Sequence, residues 1–286
     1  KPLDVGTAPD GSDSASSDSV SSDAMADDRT EGDSRGDSAG DSAGDSFDGA
    51  GDGTETATDL STDDDTKPET RLNAYDCLVS PDCGRILIAA HRGDHINYPE
   101  SSLAAIRGAA ALGADFVELD SRITLDGEVV IMHDSDVNRT TDGEGEVSAL
   151  TLEQTRALTL EGSDPANPET LTVPTLGEAI VLAKELGLMI YLDQKVGEWQ
   201  VIADIIRENE AEKVALIRDD LDIILAMAPT SSDLLLMPAT ETTEQVVQAK
   251  DAIPGLLIVE FSYAEADAEF VAAVHEMGLK VQQDVM

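Results

Sequence analysis

Residues 101–120, Ser-Ser-Leu-Ala-Ala-Ile-Arg-Gly-Ala-Ala-Ala-Leu-Gly-Ala-Asp-Phe-Val-Glu-Leu-Asp, hold one turn of the rhythm that decides the fold. Leu103, Ile106 and Ala110 recur at helical spacing and Gly113 supplies a stop, which predicts a helix over 101–112. The short apolar run 116–119 that follows reads as a strand. Outward from this unit, further strands are expected at 86–90, 129–132, 188–192, 214–217, 234–237, 256–261 and 280–283. Helices are expected at 175–186, 198–209, 220–228, 242–252 and 266–277.

Eight strands in a βα rhythm are the count of a TIM (β/α)8 barrel, an α/β fold placed here over residues 71–286. The competing arrangement is a doubly wound open sheet. It would want a glycine-rich phosphate loop after an early strand, and the sequence has none. The sequence reaches Met286 just after the eighth strand, so the expected barrel has no eighth helix: it is either truncated or closes without one.

Residues 1–70 differ in kind. Ser, Asp, Gly, Thr and Ala dominate, with 20 acidic and 4 basic side chains and a Gly-Asp-Ser-Ala repeat at 36–43. Such a segment cannot bury enough apolar surface to offset its chain entropy, so a disordered acidic stalk is expected. Its reading is a tether between a membrane anchor, in an N-terminal segment not present here, and a folded domain. The whole chain carries a net charge of −41, which disfavours nucleic acid and anionic membrane surfaces as partners. No run approaches the roughly 18 uninterrupted apolar residues of a membrane span. Cys77 and Cys83 flank a Pro-Asp turn and are expected to form a small disulfide loop, which would place the protein in an oxidising, extracytoplasmic setting, secreted or surface-anchored.

Catalytic groups of a TIM barrel come from the C-terminal ends of its strands. The first expected strand ends in His91-Arg92-Gly93, the second in Glu118-Leu119-Asp120, the third in His133-Asp134 and the fourth in Asp193-Gln194-Lys195. At i, i+2 spacing on a strand, Glu118 and Asp120 point to one face and Leu119 to the other. Two carboxylates aimed into one mouth repel unless a cation joins them. Oxygen ligands suit a hard ion, Ca²⁺ or Mg²⁺, and Asp193 is a candidate third ligand. Two histidines beside such a cluster suggest a general acid and a general base, as phosphodiester cleavage requires. Arg92 and Lys195 are candidates for holding the phosphoryl oxygens.

These residues resemble the glycerophosphodiester phosphodiesterase family. The resemblance is carried by His91-Arg92-Gly93 with Pro99-Glu100, by Ala-Asp-Phe-Val-Glu118-Leu-Asp120, by Asp126-Gly127 and His133-Asp134, and by Arg139-Thr-Thr-Asp-Gly143. Val173-Pro174-Thr175-Leu176 and Lys195 extend it. It implies a TIM barrel, a divalent metal, and hydrolysis of glycerophosphodiesters to an alcohol and glycerol 3-phosphate. It also implies His91 and His133 as the acid/base pair, Arg92 and Lys195 as phosphate contacts, and Glu118, Asp120, Glu100 and Asp193 as the metal side of the site. The chain departs from the family pattern at Ser101 (usually Asn), Asn138 (commonly Asp) and Asp193 (usually Glu). Asp193-x-Lys195 is similar to the sphingomyelinase D group, which keeps a lysophospholipase D or sphingomyelinase D-like reaction as an alternative. A non-catalytic surface binding module is the third reading, and it requires these groups to be misplaced in the fold. Outside the core set, His95 is expected to be idle, His275 structural, Trp199 either a pocket wall or outer packing, and Glu260 is given no role.

Overall fold

The structure is a computed structural model that describes residues 72–197, 199–261 and 267–283. The expected stalk, residues 1–70, lies outside the described residues, as do 284–286.

The sheet contains β1 (Ala89–His91), β2 (Phe116–Ile123), β3 (Val129–Ile131), β4 (Met189–Gln194), β5 (Ala215–Asp220), β6 (Leu235–Thr240), β7 (Ile258–Phe261) and β8 (Lys280–Gln282). The order is β1-β2-β4-β5-β6-β7-β8, with β3 attached only to β2. The helices are α1 (Ala74–Val79), α2 (Leu103–Ala111), α3 (Leu152–Arg156), α4 (Leu176–Leu186), α5 (Trp199–Glu208), α6 (Leu221–Met227), α7 (Thr243–Ala252) and α8 (Ala268–Glu276). Parallel neighbours follow one another in sequence with no reversal of strand order, which is single winding of the TIM type rather than a doubly wound sheet.

One strand corrects the expected count. β3 pairs with β2 antiparallel, Ser121 opposite Ile131 and Ile123 opposite Val129. The parallel sheet therefore has seven strands, and 129–132 is the return arm of a hairpin. The reason is length: residues 124–128 are too few for a parallel crossover, which takes a dozen or more. Gly127, at φ 89°, makes the turn.

Side-chain alternation divides the core in two. Val117, Leu119, Ile190, Leu192 and Ile217 face outward and are buried against the helices. Each contributes about 1.5–3 kcal/mol on burial. Phe116, Met189, Tyr191, Leu216, Met237 and Ile258 face the other way and pack with Ala74 and Leu78 of α1. Thus α1 closes the end of the sheet where the strands begin. It is capped by Asn73, whose side chain accepts from the Asp76 amide. The expected disulfide joins Cys77 to Cys83, with Cα atoms 5.1 Å apart. Arg85 anchors the segment after α1 through both oxygens of Asp115 at 2.8 Å.

The local signals for α4 were legible. Thr175 and Glu178 form a reciprocal capping box and Gly187 ends the helix at φ 70°. A third apolar cluster, including Val130, Met132, Val147 and Leu160, packs the hairpin under the long segment between β3 and α4.

Candidate active site

Glu118, Asp120 and Asp193 come together on the inner face of the sheet. Parallel register sets Asp120 opposite Asp193 on adjacent strands, and one oxygen of each of the three carboxylates lies within 4.8 Å of the others. Asp120 is 1% exposed, and its Oδ2 is buried without a hydrogen-bond partner among the described residues. Burial first, then the charges of Asp120 and Asp193, push the Glu118 carboxyl up to about 8. A buried carboxylate oxygen with an open lone pair, beside a second carboxylate driven to hold its proton, fits a hard divalent cation. The residues present therefore suit such an ion.

Cations already flank this cluster. Lys195 Nζ lies 2.7 Å from Asp120 Oδ1 and 3.4 Å from Asp193 Oδ2. Arg92 donates its backbone N–H to Glu118 Oε2 at 3.0 Å, and its Nε stands 3.8 Å from Asp120 Oδ2. Arg92 achieves this with φ 54°, a left-handed backbone that a non-glycine residue adopts only at a cost of about 1–3 kcal/mol. His91 Nε2 is 3.9 Å from Glu118 Oε2 and its side chain is 64% exposed.

The hairpin brings His133 to the same rim. Met132 donates its N–H to the Asp120 carbonyl at 2.9 Å, and Arg122 donates to the His133 carbonyl through Nε at 3.1 Å and also through Nη2. His133 Nδ1 sits 2.7 Å from Asp134 Oδ1. A carboxylate only accepts, so Nδ1 carries the proton and Nε2 is left for chemistry. Arg139 holds Asp134 through Nε at 2.7 Å. Arg139 and then His133 keep the Asp134 carboxyl well below the usual carboxylate range.

Glu100 lies outside the acidic cluster. Arg139 grips it with two hydrogen bonds of 2.8 Å and Arg92 Nη1 adds a third at 3.1 Å. Arg139 foremost, opposed by burial and helped by Arg92, lowers its pKa. Glu100 thus joins the loop after β1 to the loop after β3.

Sequence reasoning left a second network unassigned. Arg218 on β5 donates to Glu260 on β7 at 2.6 Å and reaches Asp193 at 3.5 Å, while the Tyr191 hydroxyl donates to Glu260 at 2.8 Å. Burial opposes the Arg218 charge, yet Glu260 raises its pKa overall. Glu260 was visible as a strand-end acid. Arg218 shares the Asp193 strand face by register, a signal readable only once the strands are paired. Of the other candidates, His95 is exposed with Nδ1 3.0 Å from the His91 carbonyl. Trp199 packs on the outer core, and His275 is exposed on α8.

All the residues singled out on β1 to β5 fall within one stretch that compares with known proteins. Residues 91–221 match the Glycerophosphoryl diester phosphodiesterase family. Among curated relatives of that kind, a glycerophosphodiester phosphodiesterase of Caldanaerobacter subterraneus is 39% identical over 113 residues. That alignment covers 40% of this chain and 46% of the relative. Human glycerophosphodiester phosphodiesterase 1 is 45% identical over 118 residues, 39% of this chain and 34% of the relative. The match therefore spans less than half the length of these relatives. A glycerophosphoryl diester phosphodiesterase structure from Parabacteroides distasonis aligns with TM-score 0.63 at 26% identity, covering 73% of this chain and 76% of that one. An Oleispira antarctica phosphodiesterase, solved with the product sn-glycerol-3-phosphate, shares the fold at TM-score 0.59 and 22% identity, covering 70% of this chain and 85% of that one.

Proposed function

We propose that this chain hydrolyses glycerophosphodiesters to an alcohol and glycerol 3-phosphate. The observation that carries the reading is the overlap of the family match, residues 91–221, with the site itself. His91, Arg92, Glu100, Glu118, Asp120, His133, Asp193 and Lys195 all lie inside it.

Glu118, Asp120 and Asp193 would hold a divalent ion, Ca²⁺ or Mg²⁺. When bound, the ion supplies positive charge against the phosphoryl oxygens. Arg92 and Lys195 add fixed cations at the same rim, where charge builds as the P–O bond breaks. His91 and His133 are the acid/base pair: one takes the proton of the attacking nucleophile, the other returns a proton to the departing alkoxide oxygen. Asp134 sets the His133 tautomer for that exchange, and Arg139 holds Asp134 in place. Glu100 acts by fixing Arg92 and Arg139.

The non-catalytic reading requires the catalytic groups to be misplaced in the fold, and the approach of Glu118, Asp120 and Asp193 to one another supports the enzymatic reading over it. A lysophospholipase D or sphingomyelinase D-like reaction draws on Asp193 in place of Glu and on Ile96, 87% exposed in the loop after β1, as part of an apolar rim. We place the enzyme outside the cytoplasm on the strength of the Cys77–Cys83 disulfide. The acidic 1–70 segment suits a tether there, and cell fractionation checks both.

The test is a head-group panel run after chelation and after Ca²⁺ or Mg²⁺ add-back. Expected is release of glycerol 3-phosphate that is lost on chelation and restored by metal. Turnover that survives chelation would sink the metal assignment. A cyclic phosphate released from a lysophospholipid, seen by mass spectrometry, would favour the alternative.

A further inference from the structure

Arg218 and Asp193 face each other on the inner side of neighbouring strands. Parallel register sets Arg218 of β5 directly opposite Asp193 of β4. Arginine is long and forked, so a close pair at about 2.7–2.9 Å is within its reach there. The structure holds a looser contact. Arg218 Nη1 stands 3.5 Å from Asp193 Oδ1, at the outer limit of a hydrogen bond. Its Nε instead donates to Glu260 Oε2 at 2.6 Å. The guanidinium is turned from the carboxylate beside it toward one on β7, beyond the intervening β6.

Glu260 is fixed in place to receive it. Its side chain is buried, and its second carboxylate oxygen, Oε1, accepts from the Tyr191 hydroxyl at 2.8 Å. Its backbone carbonyl accepts from Thr240 Oγ1 at 2.9 Å. On the strand between, Met237 is opposite Arg218 in register and fully buried, and it offers the guanidinium no charged partner.

The orientation matters for a cation-binding cluster. Lys195 Nζ lies 2.7 Å from Asp120 and 3.4 Å from Asp193, and Arg92 Nε lies 3.8 Å from Asp120. With Glu118, Asp120 and Asp193 ionised, these two cations offset two of the three negative charges. An unrestrained Arg218 would offset the third and cover an oxygen of Asp193. A hard divalent ion would then find neither net charge nor an open ligand there. Glu260 cancels the Arg218 charge and keeps the guanidinium at a distance.

We propose that Glu260 is a positioning residue that holds Arg218 off Asp193 and so keeps the three-carboxylate cluster open to a divalent cation. The inference rests on the metal reading above. It gives a part in it to a residue outside the 91–221 family match.

The experiment is calorimetric titration of Ca²⁺, and separately Mg²⁺, into the chelated and desalted full chain. It compares wild type, Glu260→Gln, Arg218→Met and the double variant Arg218→Met, Glu260→Gln. Glu260→Gln should weaken Ca²⁺ binding about tenfold, because Arg218 is released onto Asp193. Removing Arg218 as well should return Kd to within about twofold of wild type, a rescue that a merely structural role for Glu260 would not produce. Unchanged binding in Glu260→Gln, or weakened binding that the second substitution fails to restore, overturns the inference while the metal reading stands. Losing one partner of a buried pair is destabilising, whereas replacing both is often tolerated. Where Glu260→Gln does not fold, Arg218→Met and the double variant decide: Ca²⁺ binding at least as tight as wild type upholds the restraint, and weaker binding overturns it. If wild type binds neither Ca²⁺ nor Mg²⁺, the metal reading falls and this inference with it.

Discussion

The inner face of the sheet has two ends built from the same strands. Where the strands begin, Phe116, Met189, Leu216 and Ile258 form an apolar plug under α1. Two to four residues further along, Glu118, Asp120, Asp193, Arg218 and Glu260 replace them. The first end gains stability from burial. The second gathers four carboxylates with Arg218 in a place where Glu118 is driven toward its neutral form. The contrast is set by position along each strand: one or two pleat periods separate residues that hold the fold from the residues proposed above for the chemistry.

The largest effects should fall on turnover at the polar end. Asp120→Asn or His133→Ala should lower kcat by about 10²–10⁴-fold, with Tm moved by less than about 4 °C. Met189→Ala, at the apolar end, should do the reverse. It should cost about 2–5 kcal/mol in urea unfolding, with kcat near wild type wherever the protein is folded. An Asp120→Asn protein that unfolds, or a folded Met189→Ala protein without turnover, would break the comparison.

A pH experiment sharpens it. The Glu118 pKa in the folded, metal-free protein lies at about 8, above its unfolded value of about 4.3. Its proton is bound more tightly in the folded state, so its stabilising contribution is full below the unfolded pKa. That contribution is lost as pH rises toward the folded pKa. Chelated wild type should therefore lose Tm between about pH 5 and pH 8 more steeply than Glu118→Gln. Divalent metal should flatten the wild-type profile, and parallel profiles for the two chelated proteins would contradict the buried-charge account.

The smallest effect belongs to the disulfide. Its reduction should cost about 2 kcal/mol of stability by the loop-closure relation. kcat should not change, because the disulfide ties Cys77 of α1 to Cys83 just after it, at the end of the sheet remote from the carboxylates. A loss of turnover on reduction at a temperature where the protein stays folded would link the two ends.

Much of this was written in local sequence. The i, i+2 pair Glu118 and Asp120, the β-branched runs, the Thr175 capping box and Gly187 all act over a few residues, where periodicity and capping chemistry are decisive. So are the histidines and cations at strand ends. The direction of β3 was also present locally, in Asp126-Gly127 and a connection too short for a helix, but counting strands without measuring that connection concealed it.

Only the tertiary structure could decide the rest. Glu100 and Arg139 are far apart in sequence and meet because two loops leave the same end of the sheet. Glu260 reaches Arg218 across an intervening strand, and Asp193 stands opposite Asp120 by parallel register. Such partners share no spacing, because parallel strands are joined through whole helices. The sequence determined which residues could act as acids, bases and ligands. Parallel register, and the loops that leave one end of the sheet, decided which of them would meet.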